Sequence, residues 1–166
     1  DVEGMSMITL RASDGAAIGR TPVSMAIVVD TSGSMSGEKI VNARASAHRL
    51  VDGLENGDRI TLIAYSDGAQ TLVEAAPVTG DRTMLHNAIE RLVPSGSTCM
   101  SCGLDAAYEA LEATTDEHVG RIVVMSDGQA NVGITDAAHL ATAAGEAFAQ
   151  SGFVTSTLGV GADYNA

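Results

Sequence analysis

The chain contains no tryptophan, and only two phenylalanines and three tyrosines occur among its 166 residues. Its core must therefore be aliphatic and alanine-rich, since hydrophobic residues still make up 45% of the sequence. No apolar run approaches the roughly 20 residues that a helix needs to cross a bilayer, so we expect no direct membrane insertion. A chain of this length is typical of one domain with a core of its own.

Positive charge is also scarce. Lys39 is the single lysine, arginines supply the other cations, and the formal net charge is −12. Because the basic residues form no cluster, nucleic acid and anionic membrane surfaces are excluded as expected partners. The chain opens with the acidic residues Asp1 and Glu3, unlike the basic start of a signal peptide, although a processed or shortened chain would begin in the same way.

Strand-like and helix-like segments alternate along most of the chain. Apolar runs predict strands at 23–30, 60–65, 121–125 and 153–160, and residues 70–74, after the Asp67-Gly68 turn, predict an antiparallel strand. Helical spacing predicts a helix at 37–54, for which Ser36 is the N-cap, and another at 81–91. A third follows the loop at 94–98 and ends near residue 112, and a fourth runs from a Thr135 cap to Gly152. We therefore expect an α/β fold, a doubly wound, Rossmann-like and mostly parallel sheet with one antiparallel edge strand and helices on both faces.

Residues 1–22 do not fit this alternation. Two short apolar segments around Asp14-Gly15 predict a small hairpin, so we divide the chain into a β extension over 1–22 and an α/β domain over 23–166. The extension either pairs on the sheet edge or is the remnant of a neighbouring β-domain.

The most informative motif is Asp30-Thr31-Ser32-Gly33-Ser34, which follows the apolar strand at 23–30. Alternate residues of an extended segment point the same way, so the oxygens of Asp30, Ser32 and Ser34 can converge. Hard oxygen ligands with a single charge suit Mg²⁺. The motif predicts a metal site on a loop at the carboxyl end of a strand.

Two further oxygen-bearing residues are predicted to reach the same place. Asp127 follows the strand at 121–125, and Thr98 lies in a Ser/Gly-rich loop that opens a helix. In a doubly wound sheet, sites form outside the carboxyl ends of the strands. The order Asp30-x-Ser32-x-Ser34, Thr98, Asp127 is therefore a specific pattern, whereas one acidic residue after a strand is commonplace.

This pattern closely resembles the metal-ion-dependent adhesion site of the von Willebrand factor A domain, over about residues 23–160. The resemblance implies that Ser32, Ser34 and Thr98 bind the metal directly, and that Asp30 and Asp127 act largely through bound waters. It implies a non-enzymatic, adhesion-type module whose Mg²⁺, or Mn²⁺ or Ca²⁺, bridges to an Asp or Glu of a protein partner. The family continues after this point with a helix, a strand and a helix, so we expect residues 23–166 to lack those elements.

Three alternatives remain open. In one, Asp30 and Asp127 only cap loops, and the serines satisfy a turn. In another, the domain is an intracellular scaffold subunit of a larger metal-dependent assembly. A Mg²⁺-dependent phosphatase also begins with an aspartate after a strand, but it needs a second carboxylate where this chain has Ser32.

Cys99 and Cys102 are the two cysteines, at the predicted start of a helix. Their i, i+3 spacing puts both sulfurs on one face, and Cα atoms so spaced lie within disulfide reach. A zinc site would need further ligands, and two free thiols are the alternative. We favour a disulfide and an extracellular, cell-surface or periplasmic location, because disulfides persist in oxidising compartments; a cytoplasmic location stays open.

Two other patterns predict no site. The segment at 159–164 imitates a dinucleotide fingerprint, but Tyr164 occupies the third glycine position. His48, His86, His118 and His139 are scattered without ligand spacing, so we expect them to be structural or surface residues.

Overall fold

The computed structural model of the chain describes residues 20–113, 117–128 and 137–161. The strands in these ranges are β1 (Val23–Asp30), β2 (Arg59–Tyr65), β3 (Ala69–Pro77), β4 (Val119–Ser126) and β5 (Val154–Gly159). The helices are α1 (Glu38–Gly53), α2 (Thr83–Glu90), α3 (Met100–Glu112) and α4 (Ala137–Ser151), with a 3-10 turn at Gly33–Met35. The predicted Thr135 cap and the predicted hairpin around Asp14-Gly15 lie outside the described residues.

The strands form one sheet in the order β3-β2-β1-β4-β5. β1 pairs in parallel with β2 and β4, β4 pairs in parallel with β5, and β3 runs antiparallel to β2 at the edge. The short Asp67-Gly68 connection leaves no room for the crossover that a parallel pair would need. The predicted fold class is therefore confirmed.

The core lies on both faces of the sheet, because β1 is buried on both sides. Ile27 and Val29 belong to the cluster that includes the buried stripes of α1 and α2. Ala26 and Val28 belong to the opposite cluster, with α3. Successive side chains of a strand point to opposite faces, and both faces of β1 are covered by helices. The β1 sequence is therefore one continuous apolar run.

The predicted N-cap of α1, Ser36, was wrong by one residue. Ser36 does not cap α1: its hydroxyl donates to the carbonyl of Gly33 at 2.8 Å and closes the 3-10 turn. The N-cap is Gly37, whose φ of +76° a residue with a side chain rarely adopts. A residue with positive φ therefore connects the 3-10 turn to the helix, a conformation that glycine adopts without strain.

The predicted apolar stripe of α4 is only partly covered. Leu140 packs against the α3 cluster, whereas the Phe148 side chain is 60% exposed. Within the described residues, no helix has both the length and the apolar character needed to cross a membrane.

Asp58 joins the loop before β2 to the start of β1. Its carboxylate accepts the backbone N–H groups of Val23 and Glu55, both at 2.8 Å, and pairs with the guanidinium of Arg20. Burial opposes the charge of Asp58, but these hydrogen bonds and Arg20 together lower the pKa of the carboxyl below its usual value. Asp58 is therefore ionised in the folded protein at neutral pH.

We expect Asp58→Ala to reduce the free energy of unfolding by about 3 kcal/mol at neutral pH, because it leaves two partly buried N–H donors without their acceptor and Arg20 without its partner. A carboxyl whose pKa is lower in the folded state contributes stability above its unfolded-state pKa and loses it as the pH falls through the folded-state pKa. The difference between variant and wild type should therefore shrink near about pH 2. Urea unfolding at both pH values measures it, with Asp105→Ala on the exposed side of α3 as the control. An equal difference at both pH values would contradict this account.

Candidate metal centre

The carboxyl ends of β1 and β4 bring two acidic residues together. Asp30 is the last residue of β1, and Asp127 directly follows β4. The register pairs Val29 with Met125, so the two strands end side by side. In the sheet, β1 lies between β2 and β4, so the strand order changes direction between β1 and β4. Ligands bind at such a switch point in doubly wound sheets.

Asp30 is fully buried at this edge. Its Oδ1 accepts the Ser32 N–H at 2.8 Å, and its Oδ2 accepts the Ser126 hydroxyl at 2.9 Å. Burial is the main cause that raises the pKa of Asp30; the bonds from Ser32 and Ser126 oppose the rise, and the neighbouring Asp127 adds to it. A nearby cation would favour the charged form of this carboxyl.

Ser32 and Ser34 present neighbouring hydroxyls. Their Oγ atoms are 2.9 Å apart, as the motif predicts, but the backbone between them is not extended. The extended conformation ends at Ser32, and the 3-10 turn at Gly33–Met35 follows, closed by the Met35 N–H on the Ser32 carbonyl at 3.0 Å. Ser32 is buried and Ser34 is exposed, so the pair leads from the buried carboxylates to solvent.

The loop that carries Thr98 is held against the Ser32–Ser34 turn by backbone hydrogen bonds. The Gly33 N–H donates to the Gly96 carbonyl at 3.0 Å, and the Ser95 N–H donates to the Thr31 carbonyl at 2.6 Å. Thr98 itself is buried. The structure therefore places all three hydroxyl-bearing residues on two adjoining loops at one end of the sheet.

Asp67 shapes the Thr98 loop from the β2–β3 turn. Its Oδ1 accepts the Ser97 N–H at 2.8 Å. A Cβ at Gly96 would lie only 2.5 Å from Asp67 Oδ2, and the φ of Gly96 is +72°. Gly96 is thus required by both the close approach and the backbone conformation.

Asp127 has two carboxylate oxygens in different surroundings. Oδ2 accepts the ammonium of Lys39 at 2.9 Å, whereas Oδ1 is buried and has no hydrogen-bond partner among the described residues. The Lys39 stem passes over Gly161, where an added Cβ would lie 3.0 Å from the lysine Cε. A buried carboxylate oxygen without a donor is unusual in a folded protein, and a cation or its bound water would satisfy it.

The donor set suits a hard cation. Among the described residues, no group of three or more His, Cys, Asp or Glu side chains is placed to hold a metal. Any metal at this edge must therefore use the serine and threonine hydroxyls together with the two carboxylates. Neutral oxygens around few charges are typical of Mg²⁺ sites that retain water.

Sequence reasoning did not assign roles to three residues of this site. Lys39 pairs with Asp127, Ser126 donates to Asp30 and accepts the Gly128 N–H at 3.1 Å, and Asp67 orders the Thr98 loop. Their signals were weak: one lysine in an acidic chain, a serine beside an aspartate, and an aspartate in a hairpin turn. Each of the three residues has a partner 30 or more residues away.

Cys99 and Cys102 are joined by a disulfide at the start of α3, with Cα atoms 5.4 Å apart. Cys99 is buried, and its N–H donates to the Ser66 carbonyl at 2.7 Å. The bond therefore closes one helical turn directly after Thr98 and fixes where that turn begins.

We expect reduction of this disulfide to weaken metal binding several-fold while barely moving the melting temperature. The closed loop is too short to constrain the unfolded chain much, but it stiffens the turn that carries Thr98. Calorimetry with and without a reductant measures the effect, and a Cys99→Ser/Cys102→Ser variant, insensitive to the reductant, is the control. Thiol titration that finds both cysteines free in protein purified without reductant would count against the bond in solution.

The fold and this edge define a doubly wound α/β domain with an oxygen-lined loop cluster at its switch point. The family model of the von Willebrand factor type A domain matches residues 25–129. The chain belongs to this family.

The chain matches only part of the length of each relative. The chain is 31% identical over 117 residues to the uncharacterized protein sll0103 of Synechocystis, covering 70% of this chain and 28% of that protein. It is 31% identical over 124 residues to inter-alpha-trypsin inhibitor heavy chain H3 of Rattus norvegicus, covering 68% of this chain and 14% of the relative. The chain thus spans less than a third of either protein.

Solved structures share the fold. A von Willebrand factor type A protein from Catenulispora acidiphila is 22% identical with a TM-score of 0.75, over 87% of this chain and 34% of that one. Manganese-loaded TRAP protein of Plasmodium vivax is 18% identical with a TM-score of 0.73, over 87% and 59%. The type V pili tip protein Mfa5 of Porphyromonas gingivalis is 30% identical with a TM-score of 0.58, over 70% and 23%. The likeness to the first two, at these identities, shows the fold alone.

Proposed function

We propose that this domain is a non-enzymatic protein-binding module that holds a divalent cation and presents it to an acidic side chain of a protein partner. The metal is Mg²⁺, with Mn²⁺ or Ca²⁺ as substitutes. Its proposed site consists of Asp30, Ser32, Ser34, Thr98 and Asp127. The observation that carries the proposal is the buried, unpartnered Oδ1 of Asp127 at the edge where Asp30 and the serine pair also lie.

The exposure of the site supports a bridging role. Asp30, Ser32, Thr98 and Asp127 are all buried, whereas Ser34 is open to solvent. A cation held from below by these oxygens has its free position on the Ser34 side. Neutral hydroxyls leave the cation with positive charge to share, so a carboxylate from outside is the ligand that it favours.

The site does not supply the parts of a phosphatase. Ser32 occupies the position, two residues after Asp30, where such an enzyme needs a second carboxylate for proton transfer. We therefore expect no phosphate release from p-nitrophenyl phosphate with MgCl₂ present, and Mg²⁺-dependent turnover that Asp30→Asn abolishes would favour the enzyme instead.

The relatives and the disulfide support a location outside the cytoplasm. The 30% identical Mfa5 is a pilus tip protein, and the Cys99–Cys102 bond is of the kind that persists in oxidising compartments. We propose an extracellular, cell-surface or periplasmic setting. An intracellular scaffold subunit is the alternative, and it predicts reduced cysteines in protein isolated from cells with thiols blocked at lysis.

Calorimetric titration with MgCl₂ and with MnCl₂ tests the metal site. We expect the wild type to bind one ion with moderate affinity, and Ser34→Ala to bind more weakly, because it removes a ligand on the solvent side. Ser36→Ala is the matched control, since Ser36 is exposed in the same loop and its hydroxyl is bonded to the Gly33 carbonyl. No heat of binding at millimolar metal, or equal losses in the two variants, would contradict the site.

The partner's role has its own test. Binding of a partner protein should require divalent metal and should be lost when the contacting Glu or Asp of the partner is replaced by its amide. Binding that persists in excess chelator would show that recognition uses another face of the domain.

A further inference from the structure

A second cluster of ligand-type side chains lies on the outer side of the helices. His48 of α1 and His86 of α2 face each other with their Nδ1 atoms 2.6 Å apart and their ring centroids 4.8 Å apart. His48 lies nine residues beyond Lys39, which corresponds to about 14 Å along the helix. The cluster is therefore separate from the site at the carboxyl ends of the strands.

The outer nitrogen of each ring contacts a carboxylate. His48 Nε2 lies 2.8 Å from Glu90 Oε1, and His86 Nε2 lies 3.2 Å from Asp52 Oδ1. Arg44 is the neighbouring cation: it lies 3.6 Å from Glu90 and also donates to the Leu92 carbonyl. The hydrogen bond from His48, with the charge of Arg44 in addition, lowers the pKa of Glu90, so this carboxylate is an acceptor at neutral pH.

The two rings are oriented alike, with a carboxylate beside each outer nitrogen and both Nδ1 atoms on the gap between the helices. An imidazole nitrogen that carries no proton has a lone pair free to accept. Two such nitrogens on one gap therefore form a pair of ligand atoms that a metal ion can bridge.

We propose that His48 and His86 form a second metal site, which binds a borderline transition-metal ion such as Zn²⁺ between the two rings. Both Nδ1 atoms become ligands, and water completes the coordination. A carboxylate behind each imidazole is the arrangement that orients histidine ligands and raises their basicity. Imidazole nitrogens favour Zn²⁺, Cu²⁺ or Ni²⁺ over Mg²⁺, so the two sites select different metals.

The geometry needs a small adjustment. Two Zn–N bonds of about 2.05 Å at a tetrahedral angle separate the nitrogens by about 3.3 Å, roughly 0.7 Å more than here. The rings sit on the surfaces of two separate helices, with the His48 and His86 side chains 27% and 33% exposed. Side-chain rotation therefore opens the gap without disturbing the core, and solvent supplies the remaining ligands.

Titration with ZnCl₂ in an Asp30→Asn background, which weakens the proposed Mg²⁺ site, tests this inference apart from that site. We expect one Zn²⁺ to bind with a Kd in the micromolar range, and His48→Gln and His86→Gln each to weaken it at least tenfold. His118→Gln is the control, because the His118 Nε2 contacts the Gly57 carbonyl at 3.1 Å and not another histidine.

Each outcome of these titrations either supports or overturns the proposed zinc site. Unchanged Zn²⁺ affinity in both histidine variants, or no binding at millimolar Zn²⁺, would overturn the proposal. Glu90→Gln, which leaves both ligands in place, should weaken Zn²⁺ only a few-fold, and a loss as large as that of His48→Gln would show that Glu90 is the ligand instead. Because Mg²⁺ binding by the wild type is measured separately, failure of this site and failure of the proposed function are distinguishable.

Discussion

Asp30→Asn should weaken Mg²⁺ binding by about 10- to 100-fold, the usual cost of losing a group that acts on a metal through its hydration or its ligands. The amide keeps an oxygen for the Ser32 N–H, and its nitrogen can donate to the Ser126 hydroxyl in place of the bond that Asp30 now accepts. The variant therefore loses a buried negative charge beside Asp127 but retains the local structure. Calorimetry with MgCl₂ gives the affinity, and thermal unfolding without metal should show a melting temperature no lower than that of the wild type.

Asp30→Ala separates the charge from the hydrogen bonds. It removes the acceptor for both Ser32 and Ser126, so it should bind metal as weakly as Asp30→Asn but unfold at a lower temperature. Equal Mg²⁺ affinity in wild type and both variants would show that Asp30 takes no part in binding a metal.

Lys39→Met should strengthen Mg²⁺ binding by about tenfold. The Lys39 ammonium lies 2.9 Å from Asp127 Oδ2 and competes with a divalent cation for the same carboxylate. A hydrogen bond between charged groups contributes about 1.5–3 kcal/mol, and about 1.4 kcal/mol corresponds to a factor of ten in affinity. Methionine keeps the unbranched apolar stem that passes over Gly161 but removes the competing charge.

Lys39→Arg is the matched control, because it retains the charge and should leave the affinity near the wild-type value. If Lys39→Met binds Mg²⁺ no more tightly than Lys39→Arg, the lysine is not a competitor of the metal but a structural partner of Asp127.

Local pattern was enough to predict the elements of the fold. The apolar run at 23–30 predicted β1, the helical spacing after Gly37 predicted α1, and the short Asp67-Gly68 turn predicted the antiparallel edge strand. The prediction that Ser36 caps α1 was wrong, because the Ser36 hydroxyl is bonded to the Gly33 carbonyl of the 3-10 turn and Gly37 occupies the N-cap position. Propensity ranks such neighbours but does not show which of two local hydrogen bonds forms.

The candidate metal residues could be named in advance because their spacing and their positions after strands are properties of the sequence. Their electrostatic partners could not. Nothing in the neighbourhood of Lys39 indicates Asp127, and nothing near His48 indicates His86, since these pairs are separated by 88 and 38 residues. The histidines read as scattered along the chain, yet the packing of α1 against α2 brings two of their rings into contact.

By itself, the sequence determined the α/β class, the order of strands and helices, and the five oxygen-bearing residues of the proposed site, because periodicity and motif spacing are local. Only the tertiary structure decided that Asp127 keeps one buried oxygen without a partner while Lys39 takes the other. It also decided that Asp67 orders the Thr98 loop and that two imidazoles face each other between carboxylates. These features depend on distances between side chains far apart in the chain, which the register of the sheet and the packing of the helices set.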